Sequence, residues 1–367
     1  MVEWKKLGEV ASIVRGNRVT KSDLIENGRY PVISGGFSPL GRINQYNREK
    51  DTITIAQYGS AGYVDWQNEL FWANDVCYSV YPQGDLNNRY LFYVLINQQC
   101  YIYTLRTNAV PAHLPLKSLQ DVDIPVPSID EQTRIVGILD TFTASIENLK
   151  QQIAQRRKQY EHYRDQLLDL EGKEGVEMKT LGETCDFVRG PFGGALKKEI
   201  FVKEGFAIYE QQHAIYGLWS FRYFIDETKF SEMKRFEVKP GDILMSCSGT
   251  MGKTSIVPTD CVKGIINQAL LKLTTKNVVS NRYIKLFMDS QWFQDALKKQ
   301  TAGGAIQNVA SVTVLKDLAI PVPSLPEQQR IVSVLDTFEA SIANLEQQLA
   351  QREKQYEYYR NKLLKFD

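Results

Sequence analysis

Histidine is scarce in this 367-residue chain, with three in all, and cysteine is little commoner at five. His113, His162 and His213 have no spacing suited to a metal ion, and Cys77, Cys100, Cys185, Cys247 and Cys261 lie scattered without a C-x-x-C pair. That excludes a structural zinc site and a disulfide framework and leaves ordinary reduced thiols. Long apolar runs are missing too. No stretch approaches the length needed to cross a bilayer, and the opening MVEWKKLGEV has neither an apolar core nor a small-residue cleavage site, which points to the cytoplasm and to no membrane partner. Charge of one sign is equally lacking. A formal net charge of +1 excludes a generally sticky polycation, yet a neutral protein can carry a local basic surface. With 43% hydrophobic and 24% charged residues the composition is globular, and the length suits two or three domains.

One stretch raises an enzymatic reading. SCSGTMGKTS, Ser246 to Ser255, ends its Gly-Lys-Thr as a phosphate-binding loop does, but the glycine required five positions earlier is Cys247. A helix should follow, whereas IVPTDCVKGI carries a proline and a glycine. A nucleotide-binding enzyme is thus a poor reading of the stretch.

Internal repetition explains it better. PVPSIDEQTRIVGILDTFTASIENLKQQIAQRRKQYEHYRDQLL, Pro125 to Leu168, returns at an offset of 196 from Pro321 to Leu364, with 31 of 44 paired positions identical. Upstream echoes keep their order while the offset drifts: LGEVASIVRG with LGETCDFVRG, NRYLFYV with NRYIKLF, and YGSAGYV with SGTMGKT. The first copy of the last pair has glycines without Lys or Thr, so the shared element is a Gly-rich turn between strands. The sequence divides into a first body (residues 1–123), a long repeated segment (124–170), a second body with its linker (171–319), and a second long segment (320–367). The bodies mix short alternating runs such as DTITIAQYG and GDILMSCSG with helical stretches, an α+β pattern.

Each repeated segment starts with Ser-x-x-Glu, Ser128 with Glu131 and Ser324 with Glu327, which predicts a capping box opening a helix. Apolar residues then alternate in steps of four and three from Ile135 to Leu167 and from Ile331 to Leu363, interrupted once by Arg156 and once by Arg352. That is a heptad seam, and the cheapest cover for each stripe is the other helix. The short linker around Leu170 to Lys179 favours antiparallel pairing, because about ten extended residues reach only some 35 Å. Polar identities exceed what a seam needs. Gln132, Arg134, Gln151 and Gln155 recur as Gln328, Arg330, Gln347 and Gln351, as Asp140 recurs as Asp336, and this suggests that two copies of one protein partner dock on the two repeats.

The order of body, IPVPSIDEQTRIV and helix, then body, IPVPSLPEQQRIV and helix, resembles the specificity subunits of type I restriction-modification systems over essentially the whole chain. The resemblance implies an α+β fold in which two target-recognition domains are separated by two long antiparallel helices forming a coiled coil with pseudo-two-fold symmetry. It implies that each domain reads half of a split, asymmetric site on double-stranded DNA and that the helices set the gap. It further implies that two modification subunits supply S-adenosylmethionine and adenine methylation, that restriction subunits join the full complex, and that this chain has neither catalysis nor cofactor. In keeping with that, no Asn-Pro-Pro-Tyr or Asp-Pro-Pro-Tyr run is present to hold a flipped adenine. A coiled-coil adaptor that binds only protein is the alternative.

Reading DNA needs cations for phosphates and amide, hydroxyl or guanidinium groups for base edges. The first body offers Arg15, Arg18 and Lys21, then Ser34, Arg42, Asn44 and Gln45, then Tyr58 and Ser60 in the turn. The second offers Arg189, Lys197 and Lys198, then Gln211, Gln212 and His213, then Ser248, Thr250 and Lys253. TNAVPAH near Thr107 and TAGGAIQN near Thr301 read equally well as structural turns or as DNA contacts.

Overall fold

A computed structural model of the protein describes residues 2–192, 194–301 and 312–366. It falls into two compact units, residues 1–151 with 346–367 and residues 152–345. Each unit therefore draws on both long helices.

Nine strands form the first body: β1 (Glu3–Lys6), β2 (Ala11–Arg15), β3 (Tyr30–Ile33), β4 (Gly41–Ile43), β5 (Thr52–Ala56), β6 (Val64–Gln67), β7 (Trp72–Ala73), β8 (Cys77–Pro82) and β9 (Asp123–Val126). The second body has β10 (Glu177–Thr180), β11 (Cys185–Arg189), β12 (Phe206–Tyr209), β13 (Phe224–Ile225), β14 (Ile243–Ser246), β15 (Thr254–Ile256), β16 (Gly264–Ile266), β17 (Leu270–Thr275) and β18 (Ala319–Val322). Strand order is the same in both. The sheet β2-β8-β5-β6 is matched by β11-β17-β14-β15, the sheet β4-β3-β7 by β13-β12-β16, and the pair β1-β9 by β10-β18. Even the parallel step is repeated, between β3 and β7 and between β12 and β16. Interior strands β5 and β14 are buried along their whole length, so the alternation of Thr and Ile in TITIA does not mark one wet face: Thr52 and Thr54 are buried as well.

A glycine joins the two sheets in each body. At Gly16 an added Cβ would lie 2.1 Å from the Ala73 carbonyl oxygen, and at Gly190 it would lie 1.8 Å from that of Asn267. The repeated Val-Arg-Gly is thus explained by backbone packing on backbone, which no other residue permits.

The NRY segments follow as helices, Asn88–Asn97 and Asn281–Met288, capped by the side chains of Asn87 and Ser280. Each carries a tyrosine to the root of a long helix. Tyr90 donates to the Pro125 carbonyl at 2.9 Å and Tyr283 to that of Pro321 at 2.7 Å.

The long helices span Ile129–Leu168 and Leu325–Leu363, 40 and 39 residues. At 1.5 Å per residue each is about 60 Å long. Their starts differ from the expected capping box. Ser128 Oγ does accept from the Glu131 N–H at 3.4 Å, but the Glu131 carboxylate engages Arg134, and Glu327 engages Arg330 in the same way. A bidentate guanidinium three residues on outcompetes the backbone N–H for the carboxylate. Within each unit the helices run antiparallel. In the first, Phe142 stacks on Tyr359 and Lys150 pairs with Glu353; in the second, Tyr163 meets Phe338 and Tyr160 donates to Glu339 at 2.7 Å. The arginines that interrupt the seam lie over phenylalanines of the facing helix, Arg352 over Phe142 at 5.7 Å and Arg156 over Phe338 at 5.8 Å. The seam thus continues as cation–π contact. Ile135 and Leu139 share a core with Leu7, Tyr90 and Leu364, and Ile331 and Leu335 share one with Leu181, Tyr283 and Leu168. Each body is therefore seated on the start of one long helix and the end of the other.

Candidate nucleic-acid interface

The Gly-Lys-Thr stretch is a β-hairpin turn. It joins β14 to β15, with Gly249 and Gly252 at φ +60° and +74°, and the matching turn between β5 and β6 has Gly59 and Gly62 at +72° and +87°. Two of its N–H groups are used internally: Gly252 donates to the Ser246 carbonyl at 2.9 Å and Lys253 to Ser246 Oγ at 3.0 Å. With two of its donors used internally and the strand β15 following where a helix would be required, the turn is not built as a phosphate-binding loop.

In the first body this turn anchors two neighbouring loops. Ser60 donates to the Gly35 carbonyl at 2.6 Å, and Gly35 packs so closely on Tyr58 that a Cβ there would lie 2.3 Å from the Tyr58 carbonyl oxygen. His113 stacks on Tyr58 at 5.3 Å, bringing the TNAVPAH loop to the same rim, where Thr107 N–H meets the His113 carbonyl. Asn74, a residue that no sequence motif marks, extends the rim by bonding Ser34 Oγ at 3.3 Å and both backbone groups of Val19. Ser34, Tyr58, Ser60 and the strand end bearing Arg15 are thereby linked, with exposed Arg18 and Lys21 on the adjoining loop. Exposed Arg15 donates to the Asp75 carbonyl through Nε and one terminal nitrogen, which leaves its other terminal nitrogen facing outward. Arg42 and Asn44 serve another purpose, bonding Gly28 and Arg29 to hold that turn, and Gln45 beside them is exposed.

In the second body Gln211, the first residue of a short helix, bridges to the carbonyls of Ser248 and Thr250, joining three candidates. Gln212 bonds Ser220, Lys253 and Thr250 are exposed, and Lys197 and Lys198 are exposed beside the short turn Lys198–Ile200. Arg189 is half-buried at the end of β11. His213 is a correction: it is fully buried, takes the Glu210 N–H on Nδ1 at 2.8 Å, faces the Ser220 carbonyl with Nε2 at 3.0 Å and stacks on Phe221. A histidine with both nitrogens committed inside the domain reads no base. TAGGAIQN lies, beyond Thr301, outside the described residues.

On the helices two docking candidates are also corrected. Gln132 and Gln328 are buried, 1% and 0% exposed, and both hold their own bodies. Gln132 accepts from the Asn87 N–H at 2.8 Å and donates to the Pro127 carbonyl; Gln328 accepts from Ser280 at 3.0 Å and donates to that of Pro323. Asp140 and Asp336 recur for the same reason, binding Arg89 and Arg282 of the NRY helices at 2.8 and 2.7 Å. Much of the polar identity therefore fastens body to helix. Arg134 and Arg330 are exposed though paired, Gln151 bonds Glu147 at 3.1 Å from an exposed position, Gln155 lines a cleft of about 230 Å³ with Arg156 and Leu345, and Gln347 and Gln351 are exposed. A stability test separates the two groups. Gln328→Ala strands the Ser280 N–H and is expected to cost about 1–3 kcal/mol, whereas Gln347→Ala stays within about 0.5 kcal/mol in urea unfolding. Equal losses would show that burial is not what distinguishes them.

Burial pushes the Cys77 thiol up to about 12 and those of Cys185 and Cys247 to about 11, far from the thiolate a nucleophile or metal ligand needs. Among the described residues there is no cluster of three metal-ligating side chains and no helix long and apolar enough to cross a membrane.

What the geometry defines is a twice-built reader: among the described residues one nine-strand body is repeated, each copy gathering loops around a Gly-rich turn and seated on long paired helices. Residues 1–156 and 173–354 match the family described as type I restriction modification DNA specificity domain, and the chain belongs to that family. It is similar to the putative type I restriction enzyme specificity subunit S.HindORF215P of Haemophilus influenzae, 32% identical over all of this chain and 96% of that one. It is also similar to the EcoR124I/EcoR124II specificity subunit of Escherichia coli, 28% identical over all of this chain and 94% of its length. The fold matches the crystal structure of the type I S subunit from M. genitalium with a TM-score of 0.66 at 18% identity, covering 100% of this chain and 97% of that one. The protein is a sequence-specific DNA-recognition subunit of the type I restriction-modification class, and the adaptor and nucleotide-enzyme readings fall away.

Proposed function

We propose that each body reads one half of a split, asymmetric DNA site, that the long helices set the gap between halves, and that two modification subunits dock on the exposed polar faces carrying Gln151, Gln155, Gln347 and Gln351. The chain itself is non-catalytic and acts in the cytoplasm. S-adenosylmethionine and adenine methylation belong to the modification subunits, and restriction subunits complete the complex. One observation carries this reading: the same strand order is built twice from sequences that have drifted apart, on helices that have not. Divergent readers on a constant mount are what two different half-sites and one kind of partner require. The DNA-facing groups are Arg15, Arg18, Lys21, Ser34, Tyr58 and Ser60 in the first body and Gln211, Ser248, Thr250, Lys253, Lys197 and Lys198 in the second.

The test is duplex binding by the chain with its modification partner, followed by fluorescence anisotropy. Affinity is expected to fall about 10³-fold or more between 50 and 200 mM salt if six or more phosphates are contacted. Salt-insensitive binding, or none, overturns the reading. Exchanging the first body for one from a relative is expected to change one half of the methylated sequence in a genome-wide map and leave the other half unaltered.

A further inference from the structure

The two bodies share a feature that their sequences hide. In each, the loop leaving the third strand is tied to the Gly-rich turn, and in each that loop exposes a large apolar side chain. In the first body the loop runs from Ser34 to Leu40; Gly35 bonds and packs on the turn, and Phe37 is 69% exposed, with Tyr63 edge-on at 4.9 Å. In the second the helix Gln211–Tyr216 takes the same place after β12. Gln211 bonds the turn, Ser255 Oγ donates to the Ala214 carbonyl at 3.1 Å, Gly217 closes the helix at φ +62°, and Tyr216 is left 70% exposed.

An aromatic ring left mostly in water forgoes hydrophobic free energy and contributes little to its own domain. One such residue is ordinary, but two at one topological position, reached by unrelated loops of different length, call for a common occupant. The neighbouring groups favour nucleic acid: cations Arg18 and Lys21 border the first rim, and Lys253 lies in the turn to which the second loop is tied. We infer that Phe37 and Tyr216 stack on or wedge between bases of the first and second half-site, unstacking a base step and seating the rim in its groove. This rests on the DNA-reading role proposed above. Apolar wedges of this kind kink a duplex and read its deformability, a source of specificity without base hydrogen bonds.

The experiment uses the full chain with its modification subunits. The probe is a duplex carrying the sequence methylated in cells that express the gene, with 2-aminopurine placed in turn at each adenine other than those methylated. Wild-type protein is expected to raise the fluorescence at one step in each half-site. Phe37→Ala abolishes the rise in the first half only and Tyr216→Ala in the second half only, each weakening binding about 10- to 100-fold. Thermal midpoints stay unchanged, because neither ring is buried, and Tyr216→Phe keeps both signal and affinity. If wild type binds DNA with the expected salt dependence but the alanine variants bind and fluoresce as it does, the inference fails while the DNA-reading role stands. If the variants lose only the modification subunits, the rings face protein and the inference is likewise overturned. Absence of any DNA binding by wild type would sink both.

Discussion

Gly190→Ala is expected to destabilise the protein by about 3 kcal/mol, at the upper end of what overpacking costs, with Gly137→Ala as a control of opposite sign. The added Cβ at Gly190 would lie 1.8 Å from the Asn267 carbonyl oxygen and 2.5 Å from its carbon, so backbone must move against backbone. No flexible side chain is there to yield. The strand end carrying Arg189 would be displaced, and the loop with Lys197 and Lys198 beyond it would follow. Gly137 stands on the exposed face of a long helix with nothing within 4 Å of an added Cβ. Alanine there removes glycine's backbone-entropy cost and is expected to stabilise by about 0.5–1 kcal/mol. Urea midpoints at constant m-value decide the matter; a loss at both positions, or at neither, would refute the close approach.

Truncating Leu335 or Leu139 to alanine is expected to cost about 2–5 kcal/mol, the range for a fully buried leucine whose surroundings relax incompletely. Both are 0% exposed. Leu335 sits among Ile331, Tyr283, Leu181 and Leu168, and Leu139 among Ile135, Tyr90, Leu7 and Leu364. Each unit has a core of its own, so limited proteolysis of Leu139→Ala should release fragments of the first body first, and of Leu335→Ala those of the second. Val334→Ala, one position from Leu335 but on the exposed face, should lie within about 0.5 kcal/mol of wild type. If it matched Leu335→Ala, the helix would not be seated by this stripe.

The local rules for the long helices were legible because the signal is periodic and repeated. The seam from Ile135 to Leu167 returns in its twin, and the structure keeps it even where Arg156 and Arg352 break it, since a guanidinium can lie flat on the phenylalanine opposite. The Gly-rich turn was legible because its copy in the first body lacks lysine and threonine, the two residues that give the copy in the second body its likeness to a phosphate loop. Polar side chains misled where they turn inward. Gln132, Gln328 and His213 have polar neighbours along the chain, and one dimension carries no sign that their partners are the Asn87 and Ser280 N–H groups, 45 and 48 residues upstream, or the Ser220 carbonyl.

From residue order alone came the duplication, the two helices and their start points, because these depend on near neighbours and on composition. The assembly of Ser34, Tyr58, Ser60 and His113 on one rim, and of Gln211 with Ser248 and Thr250 on the other, was left to the tertiary structure. Those groups meet only when strands distant in the chain pair in sheets, and strand pairing depends on how two faces pack, which no short window of sequence contains.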